Sequence, residues 1–466
     1  MKKTSVLFIL LCLIATWIAI PVFGTTENLD NASPNTCHTL DASSALLGSG
    51  KLIENAKSAI VFESNSKTLM YALNPDEQMH PASLVKILTA LIASEEGNMD
   101  DIVTVSESAI SSMPNDAISA KLVTGEQIRL EDLLYCLLVG SANDAAVVIA
   151  EHISGNQNAF IQRMNEYAKS LNCTGTQFTN PHGLHNADQY TTARDVARIL
   201  DAAMQNEIFR SIFTTTSHTV PATNLSEERN LGTNNSLMDT ASKLYYDARV
   251  IGGRTGVAGD GRRCIATAAE SNGMLLITVV MGSETEYQED GYSAIRVGGY
   301  HETTALLNAG FNGYKSAQIL SADQALVQCD VLNGDSDVIL GSQVSVSAVL
   351  PETVSAGDLS FRYADNQLQA PIEKGQAVSS VQVWHQNMCV AEAELIAMNS
   401  VKLDDHVQPF VDEEGDKDGQ TFLWILLVVC GVAAAVYAIT IATRKFKSAL
   451  VKNRSKQYRR SRRRSR

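Results

Sequence analysis

The order in which strand and helix patterns follow one another restricts this chain more than any other feature. Residues 58–63 and 68–72 read as two short strands about the turn Ser64-Asn65-Ser66-Lys67. The period then changes. Over residues 83–95, Leu84, Ile87, Leu88, Leu91 and Ile92 recur at helical spacing, with Pro81 ahead of them and Gly97 just past the end. Much of 101–204 is helical in pattern, including 131–139 and 145–153. Strands return at 264–269 and 274–281, joined by Asn272-Gly273, a strong short hairpin signal, and a helical stretch at 303–308 follows. This order predicts an α+β domain over residues 45–314, one antiparallel sheet completed by both ends with a helical cluster inserted between them. Over 315–401 the pattern is all-β. Val344, Val346 and Ala348 alternate with serines, and Val381 and Val383 with Gln382 and Trp384, which predicts a second, smaller domain of β-sandwich type.

The ends of the 466-residue chain differ in kind from its body. Lys2 and Lys3 precede an apolar run from Val6 to Ile20, then Pro21 and the short Val22-Phe23-Gly24, which reads as a signal peptide over 1–24 with a polar leader over 25–44. Residues 421–443 carry no charge, and at ~1.5 Å per residue such a helix crosses a hydrocarbon core. The tail 444–466 holds 12 bases and no acid, so the positive-inside rule leaves it in the cytoplasm and the body outside the cell. Residues 402–420 form an acidic linker ahead of the membrane helix. Between signal and tail, 419 residues hold 23 bases against 51 acids, a net charge of −28. Such a body repels nucleic acid, so no nucleic-acid partner is expected, and the basic tail is read as a stop-transfer signal at anionic lipid.

Six cysteines lie between signal and membrane helix: Cys37, Cys136, Cys173, Cys264, Cys329 and Cys389. None shows close metal-ligand spacing, and their pairing stays open among fifteen possibilities. Cys136, inside an apolar run, is expected to be a buried free thiol. No metal and no other cofactor is expected.

Three short motifs carry candidate chemistry. Ser83-Leu84-Val85-Lys86 places a hydroxyl and an amine one helical turn apart at a helix start, as a serine nucleophile with a lysine base requires. Alone the pattern is weak, because Ser64-Asn65-Ser66-Lys67 matches it within a turn, where the side chains have no reason to converge. Ser141-Ala142-Asn143 follows one helix and precedes another, presenting a hydroxyl and an amide; Ser33-Pro34-Asn35 matches that pattern too. Gly253-Arg254-Thr255-Gly256 offers a cation and a hydroxyl beside glycines, suited to a carboxylate at a sheet edge.

Taken in order, Pro81-Ala82-Ser83-Leu84-Val85-Lys86, Ser141-Ala142-Asn143-Asp144 and Gly253-Arg254-Thr255-Gly256 closely resemble the D-alanyl-D-alanine carboxypeptidases among the low-molecular-weight penicillin-binding proteins. Phe178-Thr179-Asn180-Pro181-His182-Gly183-Leu184 and Thr191-Thr192-Ala193-Arg194-Asp195-Val196-Ala197 look like the same carboxypeptidases, and residues 368–376 resemble their small β domain. The resemblance implies a β-lactamase/transpeptidase-like catalytic domain acting on peptidoglycan stem pentapeptides, and acylated by β-lactam antibiotics at the same serine. It implies Ser83 as nucleophile, Lys86 as its base and Ser141 as proton relay to the leaving amine. Asn143, Arg254, Thr255 and Gly256 would hold the substrate, and the backbone N–H groups of Ser83 and Val257 would form the oxyanion hole.

Two departures stand out. Position 254 is arginine where that family has lysine; an arginine still pairs with a carboxylate but cannot give up its proton. The flank Val257-Ala258-Gly259-Asp260-Gly261-Arg262-Arg263-Cys264 also lacks the tyrosine, threonine and alanine-glycine common there. His182 and His185 lie in a loop whose role reads as structural. The rival readings are a β-lactamase, for which no suitably placed E-x-x-L-N motif is present, and a non-catalytic wall-binding sensor.

Overall fold

The structure is a computed structural model that describes residues 45–48, 51–289, 294–364 and 367–405. Strands β1 (Ser58–Glu63), β2 (Thr68–Leu73), β3 (Val250–Val257), β4 (Arg263–Ser271) and β5 (Met274–Ser283) form one antiparallel sheet in the order β2-β1-β5-β4-β3. The N-terminal strands thus sit beside the last strand of the domain, as the element order requires. Asn272 and Gly273, with φ of 53° and 72°, make the tight turn that pairs Ser271 with Met274.

The inserted helices are α1 (Val85–Glu96), α2 (Leu130–Leu138), α3 (Asn143–Ser154), α4 (Gln157–Ser170), α5 (Ala193–Gln205) and α6 (Glu207–Phe213). A last helix, α7 (Tyr300–Phe311), lies on the other side of the sheet. Ile60, Phe62, Ile277 and Val279 pack with the helical cluster, while Ala59, Val61, Leu276 and Val280 pack with Tyr300, Leu306, Leu307 and Phe311 of α7. The sheet is therefore the middle of three layers. With both faces covered, β1 and β5 are buried along their whole length and read as continuous apolar runs.

Helix α1 runs through the centre, and its residues from Val85 to Ser94 are all buried. Each Leu or Ile removed from water there contributes about 1.5–3 kcal/mol. The helical pattern expected over 101–204 is interrupted by a small hairpin pairing Ile102–Thr104 with Gln127–Arg129, segments too short for periodicity to reveal.

Beyond α7 the chain is all-β. β6 (Tyr314–Leu320) pairs with β9 (Val346–Pro351), and β7 (Ala325–Cys329), β8 (Val338–Gly341), β10 (Leu359–Tyr363), β11 (Ala377–His385) and β12 (Met388–Ala397) form a second sheet in the order β7-β8-β12-β11-β10. Val381 and Val383 face its apolar core, while Trp384 packs on Cys389 under the Arg362 guanidinium. The expected free thiol Cys136 is buried, and burial pushes its pKa up to about 12. Cys173, Cys264 and Cys329 are free as well, whereas Cys389 is disulfide-bonded. The expected signal peptide, leader, membrane helix and basic tail, and the linker beyond residue 405, lie outside the described residues. Among the described residues no helix is long and apolar enough to cross a membrane.

Candidate active site

Ser83 sits in a 3-10 turn, Ala82–Leu84, that leads into α1. Ala82 holds a φ of 48°, in the left-handed region that a residue with a Cβ seldom occupies, so the surrounding chain must hold it there. Two glycines allow that packing. A Cβ on Gly183 would lie 1.9 Å from the Ala82 carbonyl oxygen, and one on Gly256 would lie 2.6 Å from the Ser83 nitrogen. Only glycine lets the 178–184 loop and strand β3 come this close to the serine turn.

Lys86 is wholly buried on the first turn of α1. Its Nζ lies 3.1 Å from Ser83 Oγ, 2.8 Å from Asn143 Oδ1 and 2.7 Å from the His182 carbonyl oxygen. The last two groups only accept hydrogen bonds. A neutral amine has two N–H donors for them, which leaves its lone pair for the Ser83 hydroxyl. Burial first, and then the charge of Arg254, holds the Lys86 pKa well below its ordinary value, against a smaller opposite pull from Asp144.

The second serine-lysine pair shows what differs. Contrary to the expectation for a turn, Ser64 and Lys67 do converge, but on Asp201, at 2.5 and 2.7 Å. Lys67 is half exposed and paired with a carboxylate. Lys86 is wholly buried and, among the described residues, hydrogen-bonds no carboxylate.

Ser141 lies between α2 and α3 with a φ of 62°, and Asn143 begins α3. The Asn143 Nδ2 donates to the Ile118 carbonyl oxygen at 2.9 Å. Asp144 fastens the same loop by accepting from Ser119 Oγ, Ala120 N and Leu122 N. Arg254 is placed otherwise than a carboxylate receptor should be. Its side chain is 1% exposed and donates to the Leu138 carbonyl oxygen at 2.8 Å, the Ser83 carbonyl oxygen at 3.4 Å and Ser141 Oγ. Residues on β3 alternate between faces, which turns Arg254 toward the helices and leaves Thr255 and Val257 on the opposite face. Desolvation lowers the Arg254 pKa to about 10, which still leaves it charged near neutral pH.

A cavity of about 480 Å³ opens over this arrangement, lined among others by Ser83, Ser141, Asn143, Thr255, Gly256 and Val257. Lys86 and Arg254 lie behind its wall. Val257 is 53% exposed at the rim of β3, the edge strand of the sheet. His182 is buried; its Nδ1 accepts from the Leu184 N–H, and desolvation with the Lys86 charge lowers its pKa to about 3. It serves through its carbonyl oxygen and is no base for Ser83. His185 lines the cavity and packs edge-on against His80.

Several supporting groups were not individually legible in the sequence. Asn180 Oδ1 accepts from Gly183 N at 2.7 Å, Gln189 Oε1 accepts from Thr179 N and Asn180 N, and Thr89 Oγ1 donates to the Pro181 carbonyl oxygen. These bonds fix the loop whose carbonyl holds Lys86. Its only advance signal was the stretch Phe178 to Leu184 itself. Among the described residues, no group of three or more His, Cys, Asp or Glu gathers to hold a metal ion.

Comparison with known proteins agrees with this geometry. The family described as D-alanyl-D-alanine carboxypeptidase matches residues 49–285, and the family described as penicillin-binding protein 5, C-terminal domain, matches residues 314–403. The D-alanyl-D-alanine carboxypeptidase DacA of Haemophilus influenzae is 31% identical over 388 residues, covering 81% of this chain and 90% of the relative. DacF of Bacillus subtilis is 28% identical over 360 residues, covering 76% and 87%. The crystal structure of penicillin binding protein 5 from Haemophilus influenzae superimposes with a TM-score of 0.65 at 30% identity, covering 76% of this chain and all of that one. With both family matches and this similarity along most of its length, the chain belongs to the D-alanyl-D-alanine carboxypeptidase family of low-molecular-weight penicillin-binding proteins.

Proposed function

We propose that this protein is a serine-type D-alanyl-D-alanine carboxypeptidase that removes the terminal D-alanine from peptidoglycan stem pentapeptides through an acyl-enzyme on Ser83. The observation that carries the mechanism is the buried Lys86 amine, 3.1 Å from Ser83 Oγ and otherwise bonded to two acceptors. As Ser83 Oγ attacks the penultimate D-alanine carbonyl, its proton passes to Lys86. The carbonyl oxygen becomes an oxyanion held by the backbone N–H groups of Ser83 and Val257. The peptide bond then breaks, and the proton reaches the leaving amine through Ser141, which Arg254 holds in place. Water attacks the resulting ester, frees the shortened peptide and returns the proton to Ser83. Asn143 orients Lys86 through Oδ1, and its second amide N–H is directed to the substrate backbone. Thr255 and Gly256, on the edge strand itself, form the floor. A β-lactam ring presents an equivalent carbonyl and acylates the same oxygen.

The purified full-length chain, incubated with a pentapeptide ending in D-alanyl-D-alanine, should yield the tetrapeptide and one D-alanine by mass spectrometry. Incubation with penicillin should give a covalent adduct that maps to the peptide containing Ser83. An unchanged pentapeptide and unlabelled protein would reject the reading.

The export pattern at 1–24 and the uncharged segment at 421–443 before the basic tail support a single-pass membrane protein with the catalytic body outside the cell and the tail inside. Protease added to protoplasts should digest the body and spare a tag on the tail. Digestion of the tag from outside would overturn this arrangement.

A further inference from the structure

We propose that Arg263, and not Arg254, receives the free carboxylate of the substrate's C-terminal residue; this rests on the carboxypeptidase reading above and names the group that gives it its selectivity. Arg263 is the only lysine or arginine among the described residues lining the cavity over Ser83. It pairs with Val257 in the β3-β4 register, while Thr255 pairs with Ile265. Paired residues of an antiparallel ladder project to the same side, so Arg263, Val257 and Thr255 share one face of the edge hairpin.

The guanidinium is positioned but uncommitted. Its Cζ stands 5.6 Å from the centre of the Tyr300 ring, and the Tyr300 hydroxyl donates to the Asn234 carbonyl oxygen at 3.4 Å. That ring supports the cation from below. The neighbouring arginines are neutralised within the protein, Arg262 by Asp260 and Glu284, Arg249 by Asp247, and Arg296 by Glu286 and Glu302. Among the described residues Arg263 makes no such ion pair, and its buried Nε has no hydrogen-bond partner. In a body with a net charge of −28, an arginine without an ion pair at the wall of a cleft, where Asp116 is the one acid in the described lining, is suited to an anion that arrives from solution. Arg254 donates instead to groups of the protein behind that wall. The ligand class is a peptide with a free C-terminal carboxylate, gripped by a planar fork of N–H donors beside the Thr255 hydroxyl.

The test compares the free peptide with the same peptide amidated at its C-terminus, using the wild type, Arg263→Gln and Arg263→Lys. Arg263→Gln should lower kcat/KM for the free peptide about a hundredfold and for the amidated peptide by no more than a few-fold. Arg263→Lys, which keeps the charge and loses the fork, should fall between. The free-to-amidated ratio within each variant is its own control, because impaired folding lowers both rates together. A wild type that releases D-alanine, with Arg263→Gln penalising both peptides equally or neither, overturns the inference alone. A wild type that cleaves neither peptide overturns the carboxypeptidase reading and this assignment with it.

Discussion

Ser83→Ala should abolish both penicillin acylation and D-alanine release, a loss of at least about 10⁴-fold, because no other hydroxyl can take over its role as nucleophile. Ser141 is the nearest alternative in chemistry, but its Oγ accepts a hydrogen bond from Arg254, whereas Ser83 Oγ meets the Lys86 amine. The substitution removes one oxygen on a partly exposed turn and leaves the backbone free to keep the left-handed Ala82 and its contacts with Gly183 and Gly256. Stability should therefore change by less than about 1 kcal/mol. The measurements are intact-protein mass after penicillin and the thermal midpoint. Retained labelling in a folded variant would discard Ser83 as the nucleophile.

Lys86→Met should reduce acylation by about 10²–10⁴-fold, the usual share of a general base, while preserving the packing of an unbranched side chain. It should also change how the protein responds to pH. The folded-state pKa of Lys86 lies well below its ordinary value, so the unfolded chain keeps the proton over a pH range in which the folded protein has lost it. Between the folded pKa and ~10.4 the unfolded state binds more protons, so stability rises with pH in that window. Below the folded pKa both states are protonated, and the penalty of the buried charge is complete. Lys86→Met removes this contribution, so the gain in urea midpoint from neutral to alkaline pH should be smaller than in the wild type.

The same ionisation should govern rate. Acylation by the wild type should fall on the acid side as the amine takes up a proton. In Arg254→Met, the loss of the nearby positive charge that lowers the Lys86 pKa should move that limb to higher pH. Full acylation by Lys86→Met, or an unmoved limb in Arg254→Met, would show that Lys86 is not the base. Arginine at 254 suits this part, since it keeps its charge across the working range where a lysine in the same place could lose it.

Much of the architecture was written locally. The Asn272-Gly273 turn, the apolar spacing along α1 and the return of strands after the helices required only neighbouring residues, because turn geometry and helical period are short-range properties. The length of β3 was less legible, since only Gly253 to Gly256 were placed at a sheet edge, and the full strand from Val250 to Val257 is defined by its pairing with β4.

The site divides in the same way. Sequence determined that a hydroxyl and an amine stand one turn apart at residues 83 and 86, and equally that another pair stands at 64 and 67. Its physical ground for choosing between them was a helix start against a turn, and the ordered set of motifs was needed to favour the first. Tertiary structure separates them by the company each amine keeps. Asp201, 134 residues along the chain, neutralises Lys67, while Asn143 and His182, 57 and 96 residues away, enclose Lys86 without a carboxylate. It also turned Arg254 inward and set Arg263 on the cleft wall, although both belong to the same hairpin. Proton affinity and ligand access depend on desolvation and on charges acting through space, and those are fixed only when distant segments of the chain pack together.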